Sequence, residues 1–150
     1  MLLKDTNAEF EMRIVGYQFP DLEDVQYDSD WLNISVRATL PQGSWTYTDP
    51  SLLTYEVAEL ADWLDAVADG TAVSTGIGFI EPNLAFEMVE EEPRKLRVYF
   101  DAETRPPSAP YDPEGTEELW AEFTVSADDL RTAAASLRKD LEQFPVRVGR

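Results

Sequence analysis

The stretch that decides the fold runs Trp31-Leu32-Asn33-Ile34-Ser35-Val36-Arg37-Ala38-Thr39-Leu40. From Leu32 onward apolar and polar residues alternate, as they do in a strand with one buried face. Pro41-Gln42-Gly43 then predicts a turn, and Ser44-Trp45-Thr46-Tyr47-Thr48 predicts a second strand. Because so short a turn joins neighbouring antiparallel strands, the stretch predicts a β-hairpin in an antiparallel sheet.

More strands are predicted on both sides of this hairpin. Before it, residues 9–17 alternate polar with apolar side chains through Ile14. After it, residues 83–91 and 94–101 predict a second hairpin, and residues 117–125 predict a further strand. The strands therefore fall into an early group and a late group.

Two amphipathic helices are predicted, one after each group of strands. The first begins near Asp49-Pro50, a capping residue followed by proline at the first helical position, although Ser51 or Thr54 are alternative caps. Its apolar positions recur at helical spacing: Leu53, Val57, Leu60, Leu64 and Val67. The acidic residues of its opposite face are Glu59, Asp62, Asp65 and Asp69. The second helix begins at the capping sequence Ser126-Ala127-Asp128-Asp129 and ends before Pro145.

This order of elements predicts an α+β fold with a single antiparallel sheet of about five to seven strands and two packed helices. A chain of 150 residues has the size of one ordinary domain, so residues 1–150 are predicted to form a single acidic domain. Seven residues of the strand and helix stripes are expected to be largely buried: Leu32, Ile34, Val36, Leu60, Leu64, Leu137 and Leu141.

The sequence contains neither cysteine nor histidine, and this excludes much catalytic chemistry. Thiolate and histidine nucleophiles, histidine acid–base pairs and zinc sites built from these residues are all ruled out. Thr75-Gly76-Ile77-Gly78 contains glycines but lacks the lysine of a phosphate-binding loop. Carboxylate, lysine and tyrosine chemistry remain open, but among thirty acidic residues no pair stands out. We therefore predict no catalytic residues, no metal site and no cofactor, and a protein that is not an enzyme.

Charge is the strongest feature of the composition. The formal net charge is −18, and residues 15–93 contain sixteen acidic residues against one basic residue, Arg37. Such a surface repels nucleic acids and anionic membranes, so neither is an expected partner. The start of the chain lacks a basic segment followed by an apolar run, and no stretch of about 18 apolar residues occurs. We therefore expect a cytoplasmic protein.

Acidic residues are concentrated in one segment without a strand or helix pattern: Asp21, Glu23, Asp24, Asp28 and Asp30. The segment lacks the glycine and the terminal glutamate of an EF-hand calcium loop, so it is predicted to be an exposed, solvated loop. Its negative charge either keeps the protein soluble or complements the positive charge of a basic partner. Tyr17 and Tyr27 lie beside these carboxylates and are of the residue type that anchors protein interfaces. These seven residues are the predicted partner-binding residues.

A framework of aromatic residues, prolines and leucines runs through the first half of the chain: Tyr17-Gln18-Phe19-Pro20, Tyr27-Asp28, Trp31-Leu32, Trp45, Asp49-Pro50-Ser51-Leu52-Leu53-Thr54, Glu59-Leu60 and Trp63-Leu64. This framework resembles the WapI family of bacterial immunity proteins, most clearly over residues 9–67. The resemblance implies a small cytoplasmic protein that binds and neutralises the toxic C-terminal domain of a contact-dependent, wall-associated toxin. In the founding case that domain is a tRNA-cleaving nuclease. The resemblance implies no catalytic residues.

The resemblance and the charge distribution agree, because a nuclease presents a basic groove to its substrate and an acidic protein can occupy that groove. We therefore expect an immunity protein that neutralises a basic, nuclease-type toxin domain. Its acidic surface is expected on the loop from Asp21 to Asp30, and the outer face of the first helix is left open as an additional or alternative region. The alternative is a non-catalytic binding or regulatory module with another protein partner.

Overall fold

The chain folds into two antiparallel β-sheets and a pair of α-helices in the computed structural model, which describes residues 1–115 and 117–150. The N-terminal sheet contains, in spatial order, β1 (Leu2–Lys4), β2 (Glu9–Tyr17), β3 (Trp31–Leu40) and β4 (Gly43–Leu53). The C-terminal sheet contains β5 (Gly76–Gly78), β6 (Leu84–Glu91), β7 (Arg94–Phe100) and β8 (Leu119–Thr124). Helix α1 (Thr54–Asp69) connects the sheets, and helix α2 (Ala127–Gln143) follows β8. The predicted α+β class and the antiparallel pairing are confirmed.

The prediction of one sheet of five to seven strands is wrong, because the eight strands of the described chain divide into two sheets of four. Alternation along a strand shows that one face is buried, but it does not show which sheet the strand joins. Eight strands about 4.8 Å apart would span about 38 Å, whereas two helices about 10 Å wide cover only about 20 Å. Two sheets can instead bury their apolar faces against each other.

Strand β3 lies inside the N-terminal sheet and organises it. Its residue Val36 lies opposite Met12 of β2 on one side and Tyr47 of β4 on the other. The hairpin predicted from residues 31–48 is therefore confirmed. The predicted inner face of β3 is fully buried: Leu32, Ile34, Val36 and Ala38.

Strand β4 is longer than the sequence pattern predicts. It continues through Asp49 and Pro50 to Leu53, so the prediction that the first helix begins at Asp49-Pro50 is wrong. Proline is tolerated there because β4 is the outermost strand of its sheet and needs fewer ladder hydrogen bonds. Helix α1 begins at Thr54, and the buried Glu56 carboxylate accepts a hydrogen bond from the Leu53 N–H at 3.0 Å.

Aromatic side chains join the two sheets. Phe10 of β2 packs against Phe86 of β6 and Phe100 of β7, with ring centroids 5.9 and 6.0 Å apart. Trp45 of β4 meets Phe100 edge-on at 5.2 Å, and its indole N–H donates to the Thr104 carbonyl at 2.9 Å. The two sheets therefore contribute to one continuous apolar core.

The two helices pack against each other and run in opposite directions. Arg131, near the start of α2, forms an ion pair with Asp69 at the end of α1, with a nitrogen-to-oxygen distance of 2.7 Å. The predicted core leucines of the helix interiors are fully buried: Leu60, Leu64 and Leu137. Leu141 of the same stripe lies in the last turn of α2, where it is partly buried and packs against the core.

Replacing Phe10 with alanine is expected to lower the free energy of unfolding by about 3–5 kcal/mol, the usual effect of truncating a phenylalanine in a close-packed core. The ring contacts both strands that face it, so its removal leaves a cavity between the sheets. Urea denaturation measures the change. Val15→Thr is the control, because Val15 lies on the same strand but is 53% exposed. It should change stability by no more than about 0.5 kcal/mol, and equal losses in the two variants would contradict the inter-sheet role of Phe10.

Candidate protein-interaction surface

The connection between β2 and β3, residues 18–30, is the acidic loop predicted from the sequence. Four of its five carboxylates are exposed: Asp21, Glu23, Asp24 and Asp28. Within the described residues, no basic side chain forms an ion pair with any of these four. These four carboxylates therefore face solvent without an ion-pair partner in the described part of the chain.

The outer face of helix α1 differs, although it carries as many carboxylates. Each of its acidic residues has an arginine partner at 2.6–3.0 Å: Glu59 with Arg150, Asp62 and Asp65 with Arg138, and Asp69 with Arg131. Surface pairs of this kind contribute little to stability, but they offset the charge that an approaching molecule meets. The acidic loop, and not this helix face, therefore presents the uncompensated negative charge of the two predicted regions.

Asp30 is the exception among the predicted loop residues, because it is fully buried. One carboxylate oxygen accepts hydrogen bonds from the Thr54 hydroxyl at 2.6 Å and the Arg147 N–H at 2.8 Å. The other accepts from the N–H groups of Val148 and Gly149 at 2.9 and 2.8 Å. The expectation that the whole segment is exposed is therefore wrong for Asp30. Three of its partners, the N–H groups of residues 147–149, lie more than a hundred positions away in the sequence, so no local pattern indicates them.

Tyr17 is half-buried under residues 145–149, which follow helix α2 and which we call the final segment. Its hydroxyl donates to the Pro145 carbonyl at 2.6 Å. The Arg147 guanidinium lies over the Tyr17 ring, 3.6 Å from its centroid. The same guanidinium donates to the carbonyls of Phe19 at 3.3 Å, Pro20 at 3.0 Å, and Leu22. Tyr17 therefore joins the final segment to the acidic loop.

Tyr27 is the predicted anchor that points to solvent, with 46% of its surface exposed. Its backbone has φ 67° and ψ −61°, and the Asp28 N–H donates to the Gln26 carbonyl at 2.9 Å. This is a γ-turn with positive φ, the rarer and more strained of the two γ-turn forms. Backbone strain of this kind persists only where the surroundings enforce it, and it is concentrated at functional sites. Tyr27 is therefore the strongest candidate for a contact residue.

Exposed apolar side chains are concentrated in the same two segments. Of the twelve large hydrophobic side chains exposed in the described chain, five belong to the acidic loop or the final segment: Phe19, Val25, Tyr27, Val146 and Val148. Apolar groups surrounded by charged residues are typical of protein-binding surfaces. The acidic loop thus combines carboxylates that attract a basic partner with side chains that can make short-range contacts.

The described residues contain no group of three or more acidic side chains placed to hold a metal ion. Neither helix is long and apolar enough to cross a membrane.

The exposed acidic and aromatic loop, mounted on a packed pair of sheets, is the candidate surface for contact with another protein. Residues 1–145 match the Immunity protein WapI-like family, and the chain belongs to that family. The resemblance carried by the aromatic framework is confirmed over nearly the whole chain. Membership indicates an immunity protein with a toxin as its partner, a class that is typically non-catalytic. No curated protein matches the sequence.

Acid should weaken the attachment of the final segment by protonating Asp30. Burial favours a higher pKa for this carboxyl, but hydrogen bonds from Thr54 and from the N–H groups of Arg147, Gly149 and Val148 outweigh burial and hold the pKa below its ordinary value. A carboxyl whose pKa is lowered by folding contributes stability above its unfolded pKa, about 3.9, and loses it as pH falls through the folded pKa.

Asp30→Asn carries no charge at any pH and is therefore the matched variant. At about pH 7 it should be less stable than the parent protein by about 2 kcal/mol, the order expected for losing hydrogen bonds to a charged group. The difference should shrink as the pH falls below about 4. Urea denaturation of both proteins across this range measures it. An equal difference at neutral and strongly acidic pH would show that the charge of Asp30 is unimportant.

Proposed function

We propose that this protein neutralises a nuclease-type toxin domain in the cytoplasm by binding it through the acidic loop. The observation that carries the proposal is the state of the loop carboxylates. Among the residues that the structure describes, four of them are exposed without ion-pair partners, whereas all four on the neighbouring helix face are paired with arginines. Tyr27 lies in the middle of these unpaired carboxylates and is itself exposed.

The proposed partner follows from the charge. A nuclease domain presents a basic groove to the phosphates of its substrate, and an acidic loop inserted into that groove would compete with the substrate directly. Long-range attraction accelerates such an encounter, and salt weakens it because the Debye length falls to about 8 Å at physiological ionic strength. Neutralisation of this kind requires no catalytic group in the immunity protein.

Short-range contacts would supply the part of the affinity that salt does not screen. Tyrosine is among the residues enriched at the energetic centres of interfaces, because it buries a large ring at little conformational cost. Tyr27 is exposed, so its ring is free to be buried by a partner, and it is held on a constrained turn, so little conformational freedom is lost on binding. Phe19 and Val25 of the same loop are exposed enough to extend the apolar contact.

Neutralising the loop tests the electrostatic part of the proposal. The variant converts the four exposed loop carboxylates to amides: Asp21→Asn, Glu23→Gln, Asp24→Asn and Asp28→Asn. Its association rate with the toxin domain encoded by the neighbouring gene should fall at least about 10-fold at low salt, with a flatter salt dependence. Stopped-flow or surface plasmon resonance measures the rate, and co-expression with the toxin measures protection of the cell.

The matched control changes the net charge equally at other exposed carboxylates: Glu91→Gln, Glu92→Gln, Glu117→Gln and Glu118→Gln. This variant should keep most of the association rate, because these residues lie outside the acidic loop. Equal effects of the two variants would show that only total charge matters. If the protein binds a different partner and no neighbouring toxin, the binding-module alternative replaces the immunity function.

Replacing Tyr27 with alanine tests the short-range part. Dissociation of the toxin complex should become about 30-fold faster, as for an interface residue of central importance, while the salt dependence of association should not change. Tyr111→Ala is the control, because Tyr111 is also exposed but lies outside the acidic loop. Unchanged dissociation in the Tyr27 variant would remove this residue from the interface.

A further inference from the structure

We propose that Asp30 and the final segment form a latch that holds Tyr27 and the acidic loop in the conformation that binds the partner. The proposal rests on the proposed function for the identity of the partner, but the latch itself is a property of the free protein. Asp30 and Arg147 are positioning residues in this scheme. They act on the affinity of the loop without having to touch the toxin.

The first half of the latch is the environment of the Asp30 carboxylate. Three successive backbone N–H groups of the final segment donate to it, and the Thr54 hydroxyl donates a fourth hydrogen bond. Consecutive N–H groups that converge in this way form an anion-binding nest. Because the carboxylate is fully buried, water cannot replace these donors without opening the structure. The end of the acidic loop is thereby fixed to helix α1 and to the final segment together.

Arg147 supplies the second half, on the other side of the loop. Its guanidinium donates to the carbonyls of Phe19, Pro20 and Leu22 and stacks on the Tyr17 ring. A planar guanidinium can serve several acceptors at once, which an ammonium group on a flexible chain does less well. The Arg147 side chain therefore fixes the start of the loop, while the backbone N–H groups of residues 147–149 fix its end.

The latch is connected to the strained turn by short hydrogen bonds. The N–H groups of Asp30 and Trp31 both donate to the Tyr27 carbonyl, at 2.9 and 3.2 Å. Within the turn, the Ser29 N–H donates to the Val25 carbonyl at 3.0 Å, and the Ser29 hydroxyl accepts from the Val25 N–H at 2.8 Å. The positive φ of Tyr27 is enforced by these contacts, and the latch keeps Asp30 in the place they require.

Release of the latch would let the turn relax to ordinary backbone angles and give Tyr27 many orientations. Binding would then have to restore the strained conformation, and the ordering cost would reduce the affinity. The latch thus increases affinity by preparing the loop in advance. Val146 and Val148 are exposed, so direct contact of the final segment with the toxin is the competing explanation.

The free protein gives the first test, and it needs no partner. In Asp30→Asn, the backbone amide hydrogens at positions 29, 30 and 31 should exchange with solvent at least about 10-fold faster than in the parent protein. Asp5→Asn is the matched control, because the Asp5 carboxylate also accepts backbone hydrogen bonds, from Thr124 and Thr6 at 2.8 and 2.6 Å, far from the loop. The control should leave loop exchange unchanged. Unchanged exchange in the Asp30 variant would overturn the latch.

The second test is a double-mutant cycle on the affinity for the purified toxin domain encoded by the neighbouring gene. Asp30→Asn should weaken binding about 10-fold, and Tyr27→Ala should then add less than about 3-fold in that background, instead of its full effect of about 30-fold. Asp5→Asn should leave the Tyr27 effect intact. Independent effects of Asp30 and Tyr27 would show that the latch does not act through this residue, and would overturn the proposal.

Two further variants separate the remaining explanations. Arg147→Lys keeps the positive charge but loses the planar guanidinium that serves several carbonyls, so it should also speed amide exchange in the loop. This variant provides the test if Asp30→Asn does not fold. The double variant Val146→Ser with Val148→Ser should change the affinity for the toxin less than about 3-fold, because these side chains are not part of the latch. A larger loss of affinity would show that the final segment contacts the toxin directly. Amide exchange could be faster in the latch variants while the variant with four loop amides still binds the toxin fully. That result would reject the proposed interface and leave the latch in place.

Discussion

The structure depends on the burial of two apolar sheet faces against each other. Phe10 contacts both Phe86 and Phe100 across this interface, so strand β2 is held by the opposite sheet as well as by its neighbours. Strand β3 is held in the same way by its fully buried inner face. The acidic loop connects these two strands, and the Gln18 N–H donates to the Trp31 carbonyl at 2.8 Å where the loop leaves the sheet. A rigid core thereby fixes both ends of a loop that has no core of its own.

Net charge describes this surface poorly, because the carboxylates differ in their surroundings. On the face of helix α1, four carboxylates meet three arginines, two of which come from helix α2. These pairs help define how the helices face each other. The four exposed carboxylates of the acidic loop form no such pairs in the described chain, and their charge is available to a partner. The distinction between structural and available charge depends on which residues the fold brings together.

Much of the fold could be predicted from the sequence, because alternation and helical spacing are local properties. Residues 31–48 predict a hairpin, and the leucine stripes predict both helices. Sheet membership could not be predicted, since the pattern of a strand is the same in either sheet. Strands β1 and β5 were not predicted because three residues are too few to show alternation. At the candidate site, the exposed carboxylates and Tyr27 were predicted, whereas the burial of Asp30 depends on residues 147–149, far away in the sequence.

The final segment also bears on how such a protein diverges. It follows the last helix, lies almost entirely beyond the residues matched by the family, and contributes no strand to either sheet. Substitutions there leave the residues of the apolar core unchanged. The backbone N–H groups that bind Asp30 survive side-chain substitution, but a change at Arg147 removes the guanidinium that donates to the start of the acidic loop. On the proposed latch, mutations at Arg147 thus offer a route by which the immunity protein can adjust to a changing toxin while its scaffold stays the same.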